Sequence, residues 1–478
     1  MLREQARLRH TLEVLAAIES TPIGQTCMYS RLLILTSLAS SLALADTTPP
    51  LNAQAQADGF IEGSHLDLNL RHYYSQQHTA RTTRLVIQKD DGNQPTRRRD
   101  TWVQAAMLQY RSGYTQGIVG FGVDASLFSA VTLERGHGKV ANGGDRVLVD
   151  SDGDAVPTFS RLGAGDLRMR VANTELKAGR LMLDNPILRY KDNRALPSSF
   201  QGVGLFSNEW NWLSVQAGSF ERAIPRTGTG AERLTTTFGN RSYTGSRISY
   251  AGFKAKPGYG LEASLYASRF EDMWDQAYLG LTHTLGDRAS LALKTAFNYY
   301  HTQDQGAKNL GYIDNDAYSL AFTASHGAHG LTLAWQQIMG NEYFDYVWES
   351  TGNFMANSLY ADYNGPNEKS WQARYDLDFS SYGVPGLTAS LWHARGWGID
   401  GTHYDGDRNG HHTGYNVRSL DGIGHEENGL MLAYVVQSGK LKSSVLRTII
   451  YNHRADAGQI DGSYDEFRLV GNFPLNIF

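Results

Sequence analysis

The chain has 478 residues, 41% of them hydrophobic and only 19% charged, against about a quarter charged in ordinary soluble domains. Its 44 Lys and Arg nearly balance 48 Asp and Glu, so no global positive field exists to hold a nucleic acid, and a single cysteine excludes a disulfide scaffold. No stretch of the chain beyond residue 45 approaches 18 consecutive apolar residues, which excludes a helical membrane protein.

In chain order, the first feature starts at Met28. Met28-Tyr-Ser-Arg31 is followed by the apolar run Leu32–Ala45, with small residues at Ala43 and Ala45 before Asp46-Thr-Thr-Pro-Pro50. A short basic start, an apolar core too short to anchor and a small-residue break describe a cleaved secretion signal over 28–45. Residues 1–27 then stand upstream of the natural start and are read as a doubtful extension. They carry Cys27, so the exported chain holds no cysteine. Without residues 1–45, which hold four arginines and three glutamates, 40 basic and 45 acidic residues remain in a mature chain of 433.

Short alternating runs fill that mature chain. Val119, Phe121 and Val123 alternate with Gly120, Gly122 and Asp124, and Leu261, Ala263, Leu265 and Ala267 alternate with Glu262, Ser264 and Ser268. In Trp371–Phe379 the odd positions are Trp, Ala, Tyr, Leu and Phe, and the even ones Gln372, Arg374, Asp376 and Asp378. A strand sends these two sets to opposite faces. The pattern returns at Leu430, Leu432, Tyr434 and Val436, and again at Phe467, Leu469, Phe473 and Leu475. Short turns such as Gly383-Val-Pro-Gly386 and Ser438-Gly-Lys440 separate some runs, and a long polar segment from about Gly398 to Glu427 separates others. Short turns on one side and long loops on the other are the layout of an outer-membrane barrel. At about 24 residues per strand and connection, the mature length allows about 18 strands. The expected fold is therefore an all-β transmembrane antiparallel β-barrel over 46–478. A soluble sandwich or β-solenoid also alternates, but the secretion signal, the 26 Tyr and 9 Trp suited to interfacial girdles, and the terminal Phe478 favour the barrel.

Three local signals fail as metal or catalytic motifs. Asp150, Asp152 and Asp154 resemble the start of a calcium loop, but Arg161 occupies the position where its glutamate belongs. His425-Glu-Glu427 lacks the second histidine of a zinc helix, and His411-His412 sits in a glycine-rich segment without a partner spacing. No nucleophile elbow, phosphate loop or dinucleotide fingerprint occurs. No cofactor and no metal are expected. A barrel-embedded hydrolase and a loop-borne adhesin remain rival functions.

Several stretches resemble the OprD family of substrate-specific outer-membrane porins, over essentially all of residues 58–478. They include Leu108–Gly113 with Tyr114-Thr-Gln-Gly-Ile-Val-Gly-Phe-Gly-Val-Asp-Ala125, Val171–Gly179, Asp192-Asn-Arg-Ala-Leu-Pro-Ser-Ser-Phe-Gln-Gly202, Leu279–His283, Tyr382–Leu387 and Tyr434–Gly439. The resemblance implies an 18-stranded monomeric pore in the bacterial outer membrane, leaving assembly into trimers open. It implies that the third and seventh external loops, here about Leu181–Gly202 and Gln337–Ser370, fold inward, the former carrying Asp192 and Arg194 at the constriction. It also implies small carboxylate-bearing solutes as partners, guided by a ladder of basic side chains.

Parity nominates the ladder. Arg374 shares the polar face of its run, Arg168 and Arg170 alternate with Leu167, Met169 and Val171, and Arg447 sits between Leu446 and Thr448. Arg71 falls in step with Asp67 and Asn69, opposite Leu66, Leu68 and Leu70. Arginine suits the task because its fork meets a carboxylate with two hydrogen bonds and keeps its charge. Some of these residues could instead neutralise lumen carboxylates. The sequence departs from the family at Trp392 and Ile449, where the resemblance implies further arginines. A thinner, more apolar basic wall is expected, favouring aromatic or less cationic carboxylates over dibasic amino acids.

Overall fold

The computed structural model describes residues 52–89, 92–133, 156–406 and 414–478, all within one unit, Asp46–Phe478. The secretion signal at 28–45, the extension before it, the acidic run at 150–154 and the His411-His412 pair lie outside the described residues.

Twenty-two strands follow one another: β1 His65–Thr79, β2 Leu85–Lys89, β3 Gly92–Thr96, β4 Arg98–Arg111, β5 Val119–Thr132, β6 Thr158–Val171, β7 Thr174–Leu181 and β8 Ser199–Trp210. Next come β9 Leu213–Ile224, β10 Glu232–Thr235, β11 Thr244–Gly245, β12 Ile248–Gly258, β13 Leu261–Phe270, β14 Trp274–Asp287 and β15 Leu291–Asp304. The last are β16 Asp314–His326, β17 His329–Met339, β18 Lys369–Asp378, β19 Leu387–Ile399, β20 Ile423–Val435, β21 Val445–Ala455 and β22 Tyr464–Asn476. β2 and β3 form a separate hairpin, and β10 and β11 belong to a loop. The other 18 make one antiparallel sheet. It closes where β22 pairs with β1, from Asp67 opposite Asn476 to Thr79 opposite Tyr464. A lipid interior offers no water to unpaired peptide groups, so closure is what lets a sheet span it.

The expected parity governs the wall. Phe121, Leu167, Phe322, Leu331, Leu333, Leu391 and Ile450 are exposed on the outside, while Arg168, Gln336, Gln372 and Arg468 are buried inside. The connections alternate between the two ends of the barrel. One end has tight turns, including a 3-10 turn over Phe379–Tyr382, where Gly383 and Gly386 take positive φ of 84° and 87°. The other end carries L1 (80–97), L2 (133–157), L3 (182–198), L4 (225–247), L5 (271–273), L6 (305–313), L7 (340–368), L8 (400–422) and L9 (456–463). Three loop boundaries differ from expectation: L3 ends before β8 rather than at Gly202, L7 spans 340–368 rather than 337–370, and L8 stops at 422 rather than 427. In each case strand pairing continues past the point where polar residues first appear, because the ladder still satisfies backbone groups above the apolar belt. His425, Glu426 and Glu427 are consequently strand residues on β20.

The two faces of β17 provide a test. Leu333→Arg on the outer belt should lower unfolding stability in lipid by about 2–4 kcal/mol, whereas Thr332→Arg, facing the lumen, should cost less than about 1 kcal/mol. Urea titration of barrels folded in vesicles measures both; equal losses would refute the assignment of faces.

Candidate functional site

The lumen is narrowed by L3 and L7. L3 leaves β7 after Leu181, and its first half is apolar. Leu183, Ile187 and Leu188 pack in one buried cluster with Tyr250, Tyr266, Tyr278 and Tyr300 of the inner wall. The Asn185 carboxamide oxygen accepts the N–H groups of Ile187 and Leu188 at 3.0 and 2.9 Å, which turns the chain. Tyr300 donates its hydroxyl to the Pro186 carbonyl at 3.1 Å and accepts the Phe354 N–H at 3.0 Å. One wall residue thus holds both loops. The loops also bind each other: the Ser198 hydroxyl donates to the Glu349 carbonyl, the Arg189 N–H to Ser350 Oγ and the Thr351 N–H to the Arg189 carbonyl, at 2.8 to 3.0 Å.

Charged side chains fasten this assembly. Arg226 of L4 donates to the Glu349 carboxylate from Nε at 2.9 Å and Nη2 at 3.2 Å, and reaches Asn193 of L3. Arg161 of β6 donates to the carbonyls of Pro197, Pro225 and Gly228. Asp345 of L7 accepts the N–H groups of Thr237, Phe238 and Gly239 at 3.1 to 3.2 Å and the Tyr415 hydroxyl at 3.0 Å. L4, L7 and L8 therefore meet on one carboxylate.

The residues nominated from sequence fall into three groups. Arg71 donates to Asp192 at 2.5 and 2.9 Å, to the Arg194 carbonyl at 3.0 Å and to Asn472 at 2.7 Å. It ties the tip of L3 to β1 and β22 and matches the Asp192 charge. Arg194 lies in electrostatic reach of Glu466. Arg168 and Arg170 stand near the tight-turn end, their guanidinium groups 4.5 and 3.9 Å from the centre of the Tyr114 ring. Arg168, 2% exposed, pairs with Asp124 at 3.0 Å and donates to the Ser112 carbonyl. Arg170 donates to Gln54, whose amide reaches the carbonyls of Thr115 and Gly117. The third group lies on β18, β19 and β21. Arg374, 37% exposed, bonds Asp376 at 2.8 to 3.0 Å and Ser390 at 3.1 Å. Arg447 is exposed to the lumen and has no hydrogen-bond or ion-pair partner among the described residues.

Trp392 and Ile449 lie together in this third group, 6% and 3% exposed. Trp392 donates its indole N–H to Glu427 at 2.7 Å, and its ring overlies Gly429, where a Cβ would come within 1.9 Å of it. Tyr360 of L7 stacks on Trp392 at 5.8 Å and on Tyr451 at 4.3 Å between ring centres. Where the resemblance implied two rungs of a ladder, the loop docks instead. Parity also nominates a pair left out of the sequence reading: Arg468 and Glu466 alternate with Phe467 and Leu469, and they bond at 2.6 Å. Arg226 and Glu349 carry no periodic signal, since both sit in loops.

The family model described as "outer membrane porin, OprD family" matches residues 58–477. Porin D of Pseudomonas aeruginosa is 37% identical over 449 residues, covering 92% of this chain and 96% of that protein. The crystal structure of Pseudomonas aeruginosa OccD3 (OpdP) is 47% identical with a TM-score of 0.79, over 91% of this chain and 96% of that one. The structure of Pseudomonas aeruginosa OpdK with vanillate is 28% identical with a TM-score of 0.75, over 87% of this chain and all of that one.

Glu349 makes the loop assembly sensitive to acid. Burial alone would raise its pKa, but the Arg226 guanidinium outweighs burial and holds the carboxyl at about 2, well under its ordinary value of 4.5. A depressed carboxylate stabilises the fold above its ordinary pKa and loses that contribution as pH falls through the native value, here on the order of 3 kcal/mol. Open-channel current noise should therefore rise between about pH 4.5 and pH 2, and Glu349→Gln should show that noise at neutral pH. Noise independent of pH in the native channel would remove Glu349 from the clamp.

Proposed function

Because the chain belongs to the OprD family of outer-membrane porins, we propose that its lumen passes small carboxylate-bearing solutes by passive diffusion, with aromatic or otherwise weakly cationic acids preferred over dibasic amino acids. The protein is a bacterial outer-membrane channel rather than an enzyme, which sets aside the hydrolase.

The reading rests above all on Arg447, a lumen cation with no partner among the described residues, standing in electrostatic reach of Tyr360. A carboxylate would meet the guanidinium with two hydrogen bonds, while an aromatic ring would find the half-buried Tyr360 surface nearby. Arg374 adds a weaker site, because Asp376 already shares its charge. Arg194 adds another at L3. Several weak sites in series let a solute enter and leave, and low-dielectric walls focus the field between them. Arg71, Arg168 and Arg170 are given anchoring roles, since their donors are engaged with Asp192, Asp124 and Gln54. The wall positions at Trp392 and Ile449 contribute by seating Tyr360 rather than by charge. The OpdK structure is one with vanillate, an aromatic carboxylate. Each barrel acts as its own pore, with lipid as the solvent of the outer belt.

Planar-bilayer reversal potentials with benzoate and arginine test the proposal. The native channel should prefer benzoate, and Arg447→Gln should lower the benzoate-to-arginine permeability ratio about fivefold, corresponding to about 1 kcal/mol for one charge in a water-filled lumen. Preference for arginine in the native channel would overturn the reading.

A further inference from the structure

At the loop end of β20 and β21, away from the solute path described above, two buried histidines face one another. His425 and His453 are diagonal neighbours on the inner face, since His425 pairs with Ala455 and Glu427 with His453. They are 4% and 0% exposed, and His425 Nδ1 lies 2.7 Å from His453 Nε2. The outer nitrogen of each ring is already committed. His425 Nε2 is 2.7 Å from the Glu368 carboxylate, and His453 Nδ1 is 2.5 Å from the Gly462 carbonyl. A carbonyl and an ionised carboxylate only accept, so each outer nitrogen carries its ring's proton. With neutral rings, two lone pairs then face each other across the gap, the Gln459 amide nitrogen standing 3.5 Å from His425 Nδ1, and a cation, either a metal ion or a proton, would satisfy both.

We propose that His425, His453 and Asp461 form a site for a borderline divalent cation such as Zn²⁺. One donor atom from each of His425, His453 and Asp461 lies within 4.8 Å of the other two, so modest separation of the rings brings three donors around one ion. Two imidazoles and a carboxylate, with one open position, make a donor set suited to zinc. The surroundings have the supporting shell that metal-binding histidines show, each ring giving its other N–H to a carboxylate or a carbonyl. That shell is built in: a Cβ at Gly396 would fall 2.0 Å from Glu368 Oε1 and 2.9 Å from His425 Nε2, so glycine there admits the Glu368–His425 contact. Tyr363 stacks on the His425 ring at 4.3 Å, and Gln459 orients Asp461, donating to its carboxylate at 3.0 Å and accepting its N–H at 2.8 Å. Because Glu368 ends L7 and Asp461 lies in L9, an ion there links both loops to the wall.

The test uses refolded, chelator-treated full-length barrel and Zn²⁺ alone, in a background with His411→Ala and His412→Ala. Calorimetry should show one tight equivalent of Zn²⁺, weakened about 100-fold by His453→Gln and about 10-fold by Glu368→Gln, the scale expected for loss of an outer-shell partner. Co²⁺ added to the protein with its site residues intact should give the intense visible bands of a tetrahedral N/O site, which needs no variant to fold. Absence of a stoichiometric site, or Zn²⁺ binding unchanged in His453→Gln, would overturn the proposal and leave a shared proton as the occupant of the gap.

Discussion

The structure depends on one constraint: backbone hydrogen bonds inside a membrane must be satisfied by the chain itself. Pairing β22 with β1 meets it, and nearly everything else follows from that closure. A closed sheet has one face toward lipid and one toward the lumen, so a period of two assigns every wall residue to one solvent or the other. Outside, Leu, Val and Phe accumulate. Inside, a barrel of this circumference is too wide for its own side chains to fill. Loops must enter it, and L3 and L7 do so, packing apolar side chains into one cluster with the wall.

Filling the lumen with loops raises an electrostatic problem, because buried backbone and charges need partners. The answer here is to spend most of the inner arginines on loop carbonyls and carboxylates. Arg161 takes three carbonyls, Arg226 takes Glu349, and Arg71 takes Asp192. Among the described residues Arg447 has no such partner and Arg374 shares its charge with Asp376; under the proposed function these are the cations left for a solute. On the proposed reading, net charge says little about selectivity, and the balance between anchoring and unpaired cations would decide it.

This also marks what could be read from the sequence. Alternation located the wall and put Arg71, Arg168, Arg170, Arg374 and Arg447 inside, because parity is a local property. It could not tell an anchoring arginine from an open one. Arg71 meets Asp192 across 121 residues and Arg226 meets Glu349 across 123, and no spacing rule encodes such pairs. The histidines show the same limit. His425 looked solitary because a zinc helix places its ligands four residues apart, whereas the barrel supplies His453 from the neighbouring strand, 28 residues on.

Trp392 and Ile449 show how a wall substitution and a loop position are coupled. Two arginines there would each need a partner or water, and L7 could not lie over them without burying unpaired charge at a cost of several kcal/mol. With an indole and an aliphatic side chain in place, the surface is dry and flat enough for Tyr360 to stack, and Gly429 gives the indole room to lie down. Arg468 lies 5.2 Å from the centre of the Tyr360 ring, with Glu466 holding it. Under the proposed function, a residue at these positions would bear on both the charge of the wall and the seat of Tyr360, so charge and size selectivity would be coupled there.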